Sequence, residues 1–153
     1  MGSSVQAAGG KGGALEALRF YDCIVDKDSQ TQSNIGAARH ALGHFKSAVA
    51  ALRKAAVLAP EDHEVMYNLG IAHAASGNLH EAVTCLERAL SLHFTEPRYH
   101  EMIAPMLLRI RNNEDRAMKH YRVALKLRKS RKTLHSLATL MHQAGSASAP
   151  MLD

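Results

Sequence analysis

The sequence predicts an all-α chain of about three helix hairpins in a row, with an extra helix before them and a capping helix after them. Two observations carry this prediction. A 34-residue period pairs Asn34 with Asn68, Gly36 with Gly70, Gly43 with Gly77, Ala48 with Ala82, Leu52 with Leu86 and Ala55 with Ala89. A period of that length marks repeated supersecondary units. Within a unit, apolar residues recur every three or four positions, as in Val65, Leu69, Ala72, Ala75 and then Ala82, Leu86, Ala89, Leu90, which is the spacing of a helix with one buried face.

The elements follow in chain order. Residues 1–12, rich in Gly, Ser and Ala, read as a flexible segment, and 13–144 as the helical domain. Residues 13–27 form a lone helical segment that looks like a second helix without its first, with Ala17 and Tyr21 in the matching places. The hairpins span about 29–62, 63–97 and 98–131. Gly43 and Gly77 close the opening helices of the first two, where a left-handed residue is needed. Asn112-Asn113 holds that place in the third, asparagine being the next best residue there. The closing helix of the third copy lies at an offset of 35, pairing Ala82 with Ala117, Leu86 with Tyr121 and Ala89 with Ala124. At the same offset Pro105 replaces the small Gly36 and Gly70, which predicts a kinked or broken opening helix. Residues 132–143 form the capping helix, with Leu134, Leu137, Leu140 and Met141 on one side, and 145–153 read as a flexible tail.

These copies resemble tetratricopeptide repeats over roughly residues 29–131. The small slot of the first helix holds Gly36 and Gly70, and the first alanine slot of the second helix holds Ala48, Ala82 and Ala117. The second alanine slot holds Ala55, Ala89 and Ala124, with Leu52, Leu86 and Tyr121 between the alanines, and Pro60 and a delayed Pro97 follow. Gln32 and Met66 stand where the family has an aromatic residue. The resemblance implies a short α-solenoid whose first helices line a partner groove. The matching positions offer Asn34 from copy one, Tyr67, Asn68 and Ile71 from copy two, and Tyr99, Met102, Ile103 and Met106 from copy three. That face begins polar and becomes apolar and Met-rich, which suits an amphipathic helix or an extended apolar peptide. The clamp by which some members hold chaperone C-termini would fall on Ser33, Ala37, Asn68, Tyr99 and Ile103; only Asn68 fits, so that function is disfavoured.

Charge adds a second surface. The formal net charge is +5, but residues 1–97 carry eight Lys/Arg against ten Asp/Glu, and residues 98–153 carry eleven against four. Arg116, Lys119, Arg122, Lys126 and Lys129 recur every three or four residues as one basic stripe with few acids nearby. Such a stripe suits an acidic partner surface. Lys126-Leu-Arg-Lys-Ser-Arg-Lys132 also resembles a nuclear-import cluster.

Several classes are excluded. No apolar run approaches the ~20 residues of a membrane helix, and the start lacks a charged region followed by an apolar one, so secretion is disfavoured. Cys23 and Cys85 then read as reduced, buried thiols. His40 and His44 flank Gly43 rather than sharing a helix face, and neither a His-Glu-x-x-His nor a Cys-x-x-Cys pattern occurs. Gly9-Gly10-Lys11-Gly12-Gly13 lacks the preceding strand and the spacing of a phosphate loop. With no nucleophile, base or paired carboxylates assembled, the expectation is no enzyme, no cofactor, no metal site and no small-molecule substrate. The expected role is a non-catalytic adaptor or structural subunit of a larger intracellular assembly, in the cytoplasm or cytoskeleton. It would grip a partner segment in the groove and dock on an acidic protein surface. Acidic tubulin tails, and hence microtubules and cilia, are settings that family analogy implies. The alternative is an RNA-contacting subunit of a ribonucleoprotein such as a ribosome.

Overall fold

The computed structural model describes residues 3–147, with side chains from residue 10 to residue 145. These residues form eight helices and no strand: α1 (Ser3–Asp22), α2 (Ser29–Ala41), α3 (Phe45–Leu58), α4 (His63–Ala75), α5 (Leu79–Leu92), α6 (Pro97–Leu108), α7 (Glu114–Leu127) and α8 (Arg131–Ala147). They divide into two compact units, one ending at Leu92 and one starting at His93.

In the first unit α2 pairs with α3 and α4 with α5, α1 packs on α2, and α3 packs on α4. Both hairpin turns are made the same way. Gly43 (φ 83°) and Gly77 (φ 87°) take the left-handed backbone. His44 N–H donates to the Arg39 carbonyl and Asn78 N–H to the His73 carbonyl, both at 2.9 Å. Those bonds satisfy carbonyls that the ending helix would leave open. The opening helices start alike as well: Asp28 Oδ1 accepts the Thr31 N–H at 2.8 Å, and Asp62 Oδ1 the Glu64 N–H at 2.9 Å. The Asp62 cap contributes about 1 kcal/mol.

The hairpins close tightly because their crossing points are small. A methyl group on Gly70 would lie 2.8 Å from Leu86 Cγ and 3.1 Å from the Ala82 carbonyl oxygen, and one on Gly36 would run into Leu52. Ala48, Leu52, Leu69 and Ala72 form a buried cluster, with Val49, Ala56 and Cys85 against it, that holds α3 to α4. Complete burial of Leu52 and of Leu86 contributes about 2 kcal/mol each.

In the second unit α7 packs on α6 and on α8. α6 runs unbroken through Pro105, contrary to the expected break, and begins with Pro97 in its first turn. Pro105 is exposed while Ile103, Ala104, Met106 and Leu107 are buried, so its ring projects away from the packed face. Two other expectations change. α1 begins inside the stretch expected to be flexible and ends before residue 27, and α8 extends to Ala147. On α8, Leu137 and Leu140 are buried with Thr133, whereas Leu134 and Met141 are exposed. The four apolar residues lie on one side of the helix, within about 120° of arc, but only the edge carrying Leu137 and Leu140 is covered. Residues 148–153 of the expected tail, and 1–2 at the start, lie outside the described residues.

Candidate functional site

In the first unit α2 and α4 are neighbouring opening helices. Ile35, Gly36, Leu69 and Gly70 face inward and are buried. The residues one position before or after them turn outward: Asn34, Asn68 and Ile71 are half-buried, as is Tyr67. Gln30 Nε2 donates to Asn34 Oδ1 at 3.0 Å, one turn along the same helix. This face therefore offers two amides one repeat apart, with a phenol and an isoleucine beside the second. It can hydrogen-bond an extended backbone and cover an apolar side chain.

The second unit corrects the site read from the sequence. Tyr99 and Ile103 are completely buried and Met106 is 6% exposed, so three of the four α6 candidates are core residues; only Met102 is half-buried. The cause is register. The buried positions of α6 (Tyr99, Ile103, Ala104, Met106, Leu107) repeat those of α4 (Val65, Leu69, Gly70, Ala72, His73) at an offset of 34. The offset becomes 35 only in α7, and the added residue lies in the intervening turn, where Asn112 adopts φ 60°. Applying 35 to α6 rotates every assignment by one residue, about 100° around a helix with 3.6 residues per turn. In the correct register Ala104 takes the small slot of Gly70, and Glu101, Met102 and Pro105 match Tyr67, Asn68 and Ile71. The clamp slots assigned to Tyr99 and Ile103 likewise become Arg98 and Met102. A signal for this was present in the chain: the helix-capping acids Asp28, Asp62 and Glu96 are spaced by 34 throughout.

Glu101, Met102 and Pro105 line a cavity of about 500 Å³ together with Tyr121, Arg128, Ser130, Lys132, Thr133 and Ser136. Glu101 is the centre of its polar wall. Its carboxylate pairs with Arg128 through Oε2, while Oε1 accepts the Thr133 hydroxyl at 2.9 Å. Burial pushes the Tyr121 phenol up, and its bond to Ser136 partly opposes that shift.

All five residues of the basic stripe are exposed. Lys119, Arg122 and Lys126 lie on α7 and have no carboxylate partner among the described residues. Arg116 donates to Asn113 Oδ1 at 2.9 Å. Lys129 is not on the helix: α7 ends at Leu127, and Arg128 is extended (φ −148°, ψ 122°), so the continuous stripe ends with Lys126.

Two further features were missed. His100 and His120 approach Nδ1 to Nδ1 at 2.9 Å between α6 and α7. Burial, His100 and Arg116 together push His120 down to about 4, and burial lowers His100 as well. Cys23 is exposed rather than buried, with its thiol toward the Arg19 carbonyl, while Cys85 is half-buried and its thiol is pushed up by burial. Among the described residues no three His, Cys, Asp or Glu side chains are placed to hold a metal ion, and no helix is long and apolar enough to cross a membrane.

Residues 39–104 match the model of the tetratricopeptide repeat family. No curated protein matches the chain. The similar solved structures include three that show the likeness well. The first TPR of Spaghetti (RPAP3), bound to an HSP90 peptide, has a TM-score of 0.72 and 14% identity, covering 76% of this chain and 93% of that one. The type III secretion chaperone SycD of Yersinia enterocolitica, in complex with a peptide of the translocator YopD, has a TM-score of 0.70 and 16% identity, covering 75% and 93%. The Sgt2 TPR domain from Aspergillus fumigatus has a TM-score of 0.71 and 18% identity, covering 82% and 86%.

Proposed function

Because the chain is a tetratricopeptide repeat protein, we propose that it is a non-catalytic adaptor that grips a segment of a partner protein on the α2–α4 face. The observation that carries this reading is the outward placement of Asn34, Tyr67, Asn68 and Ile71 on adjacent helices whose opposite faces are fully packed. Two similar structures hold peptides of other proteins, which supports a peptide as the occupant. The amides serve the peptide backbone, and Ile71 with the Tyr67 ring covers an apolar side chain.

Lys119, Arg122 and Lys126 then serve as a second contact, docking on an acidic surface of the same assembly. A protein surface is favoured over RNA because the chain has no Trp and only 5% aromatic residues, leaving little with which to stack bases. Acidic tails of the tubulin kind have the chemistry to fit, and a setting in the cytoplasm, cytoskeleton or cilium is part of this proposal. RNA remains the second reading, carried by the same unpaired cations, and it predicts an affinity that falls by about 0.7–0.9 log units per log unit of salt for each phosphate neutralised.

The groove is tested by quantitative co-purification of wild-type chain and an Asn68→Ala, Ile71→Asp variant, both checked for an unchanged thermal midpoint. Loss of a defined set of proteins from the variant is expected. An identical set on both chains would discard the groove.

A further inference from the structure

We propose that Ser130, in the linker between α7 and α8, is a phosphoacceptor for a serine kinase that recognises basic substrates, and that its phosphorylation releases Arg128 from Glu101.

The local sequence supplies the recognition. Lys126, Arg128 and Lys129 precede Ser130, Arg131 and Lys132 follow it, and no acid lies between residues 116 and 152. An acidic kinase cleft therefore meets four or five cations and no repulsive charge, whichever direction it reads. The conformation suits the same use. Residues 128–130 belong to no helix, and Arg128 is already extended, so a kinase that binds the segment as a strand needs to fray only the last turn of α7 and the first turn of α8. Lys126, Arg128, Lys129, Arg131 and Lys132 are exposed, and Ser130 is partly so. Its Oγ accepts a long bond from the Thr133 N–H at 3.4 Å, while its own O–H donates to no described residue. The reacting proton is free.

The transfer balances simply. Ser130 Oγ bonds to the γ-phosphorus of a nucleoside triphosphate as the bond from that phosphorus to the β–γ bridging oxygen breaks. The diphosphate leaves, and the hydroxyl proton passes to the kinase's base.

The structure also says what the product does. Ser130 lines the same cavity as Arg128 and Lys132. A phosphate there carries about −1.5 to −2 charges and three strong acceptor oxygens, so it competes with Glu101 for the Arg128 guanidinium. The Arg128–Glu101 pair joins the linker to α6, and Thr133 on α8 holds the second oxygen of the same carboxylate. Loss of Arg128 leaves Thr133 as the remaining tether, and the added charge offsets part of the basic segment that includes Lys126. The modification itself does not depend on the groove or the docking stripe.

The test incubates the full chain with magnesium ATP and a panel of purified basic-directed serine kinases, then locates phosphate by mass spectrometry. Ser130 is expected to be the dominant site, incorporation to vanish in Ser130→Ala, and the rate to fall at least tenfold in Lys129→Gln with Arg131→Gln. Hydrogen exchange on the phosphorylated wild-type chain is expected to show faster exchange at 128–130, where Arg128 is released, with no such rise in the first turn of α8, whose N-terminus the phosphate caps. Phosphate placed only on other residues, an unmodified Ser130 with every kinase, or unchanged exchange at 128–130 would overturn the proposal.

Discussion

At the scale of single residues, Gly70 and Gly36 sit in the same slot but differ in what surrounds them. A methyl group at Gly70 meets the Ala82 carbonyl as well as Leu86, whereas at Gly36 it runs still closer into Cγ of the completely buried Leu52, a branch point that cannot swing aside. Both Gly70→Ala and Gly36→Ala should therefore lose about 1–3 kcal/mol to overpacking, against a gain of about 1 kcal/mol in helix propensity. Chemical denaturation of both variants checks this, and a raised midpoint for either would contradict it. The histidines make a second residue-scale prediction. His73, His100 and His120 all have folded values below the ordinary 6.5, so on acidification the unfolded chain takes up protons before the folded one. Stability is fully present above about 6.5 and falls as pH drops toward 4. His120→Gln should flatten that fall in thermal melts between pH 7 and 4.5. The small slots were legible in the sequence because size recurs with the period. The histidine contact was not, because the pairing of His100 with His120 depends on which faces of α6 and α7 meet.

Among the elements, α6 shows how far a repeat can be read from composition alone. Its existence and its hairpin with α7 follow from the period, but its rotation does not, and Pro97, expected to close the second copy, opens α6 instead. The single inserted residue can be placed in the helix or in the turn, and the two placements assign opposite roles to Tyr99 and Glu101. The capping acids favour the turn, and burial agrees with them. Pro105 withholds the N–H that would meet the Glu101 carbonyl, a defect of about 3 kcal/mol in a helix interior. Ile103, Ala104 and Leu107 pack nonetheless, so packing outweighs the defect. Pro105→Ala should then raise the unfolding midpoint of the second unit, by an amount equivalent to about 1–3 kcal/mol, and an unchanged or lower midpoint would contradict this account. On α7 the basic residues were legible from spacing, but the end of the helix at Leu127, which removes Lys129 from the stripe, was not.

For the whole molecule, two units were not legible, because the 34-residue rhythm runs across Leu92 and His93 without interruption. What the rhythm did carry was the fold class and the two hairpins of the first unit. Charge is divided along the chain, with the excess of cations beyond residue 97. Binding through α7 should weaken as salt screens it, while binding on the α2–α4 face should barely respond. Lys119→Glu with Arg122→Glu should remove the salt-sensitive component alone; loss of both components together would merge the two surfaces into one. The claim that the α2–α4 face holds a protein segment is tested most directly by a photocrosslinking amino acid placed at position 68, with position 54 on α3 as the control. Adducts from position 68 that map to one continuous segment of one co-purifying protein, and are absent from position 54, are the predicted result. No adduct at position 68 while that protein still co-purifies would contradict it.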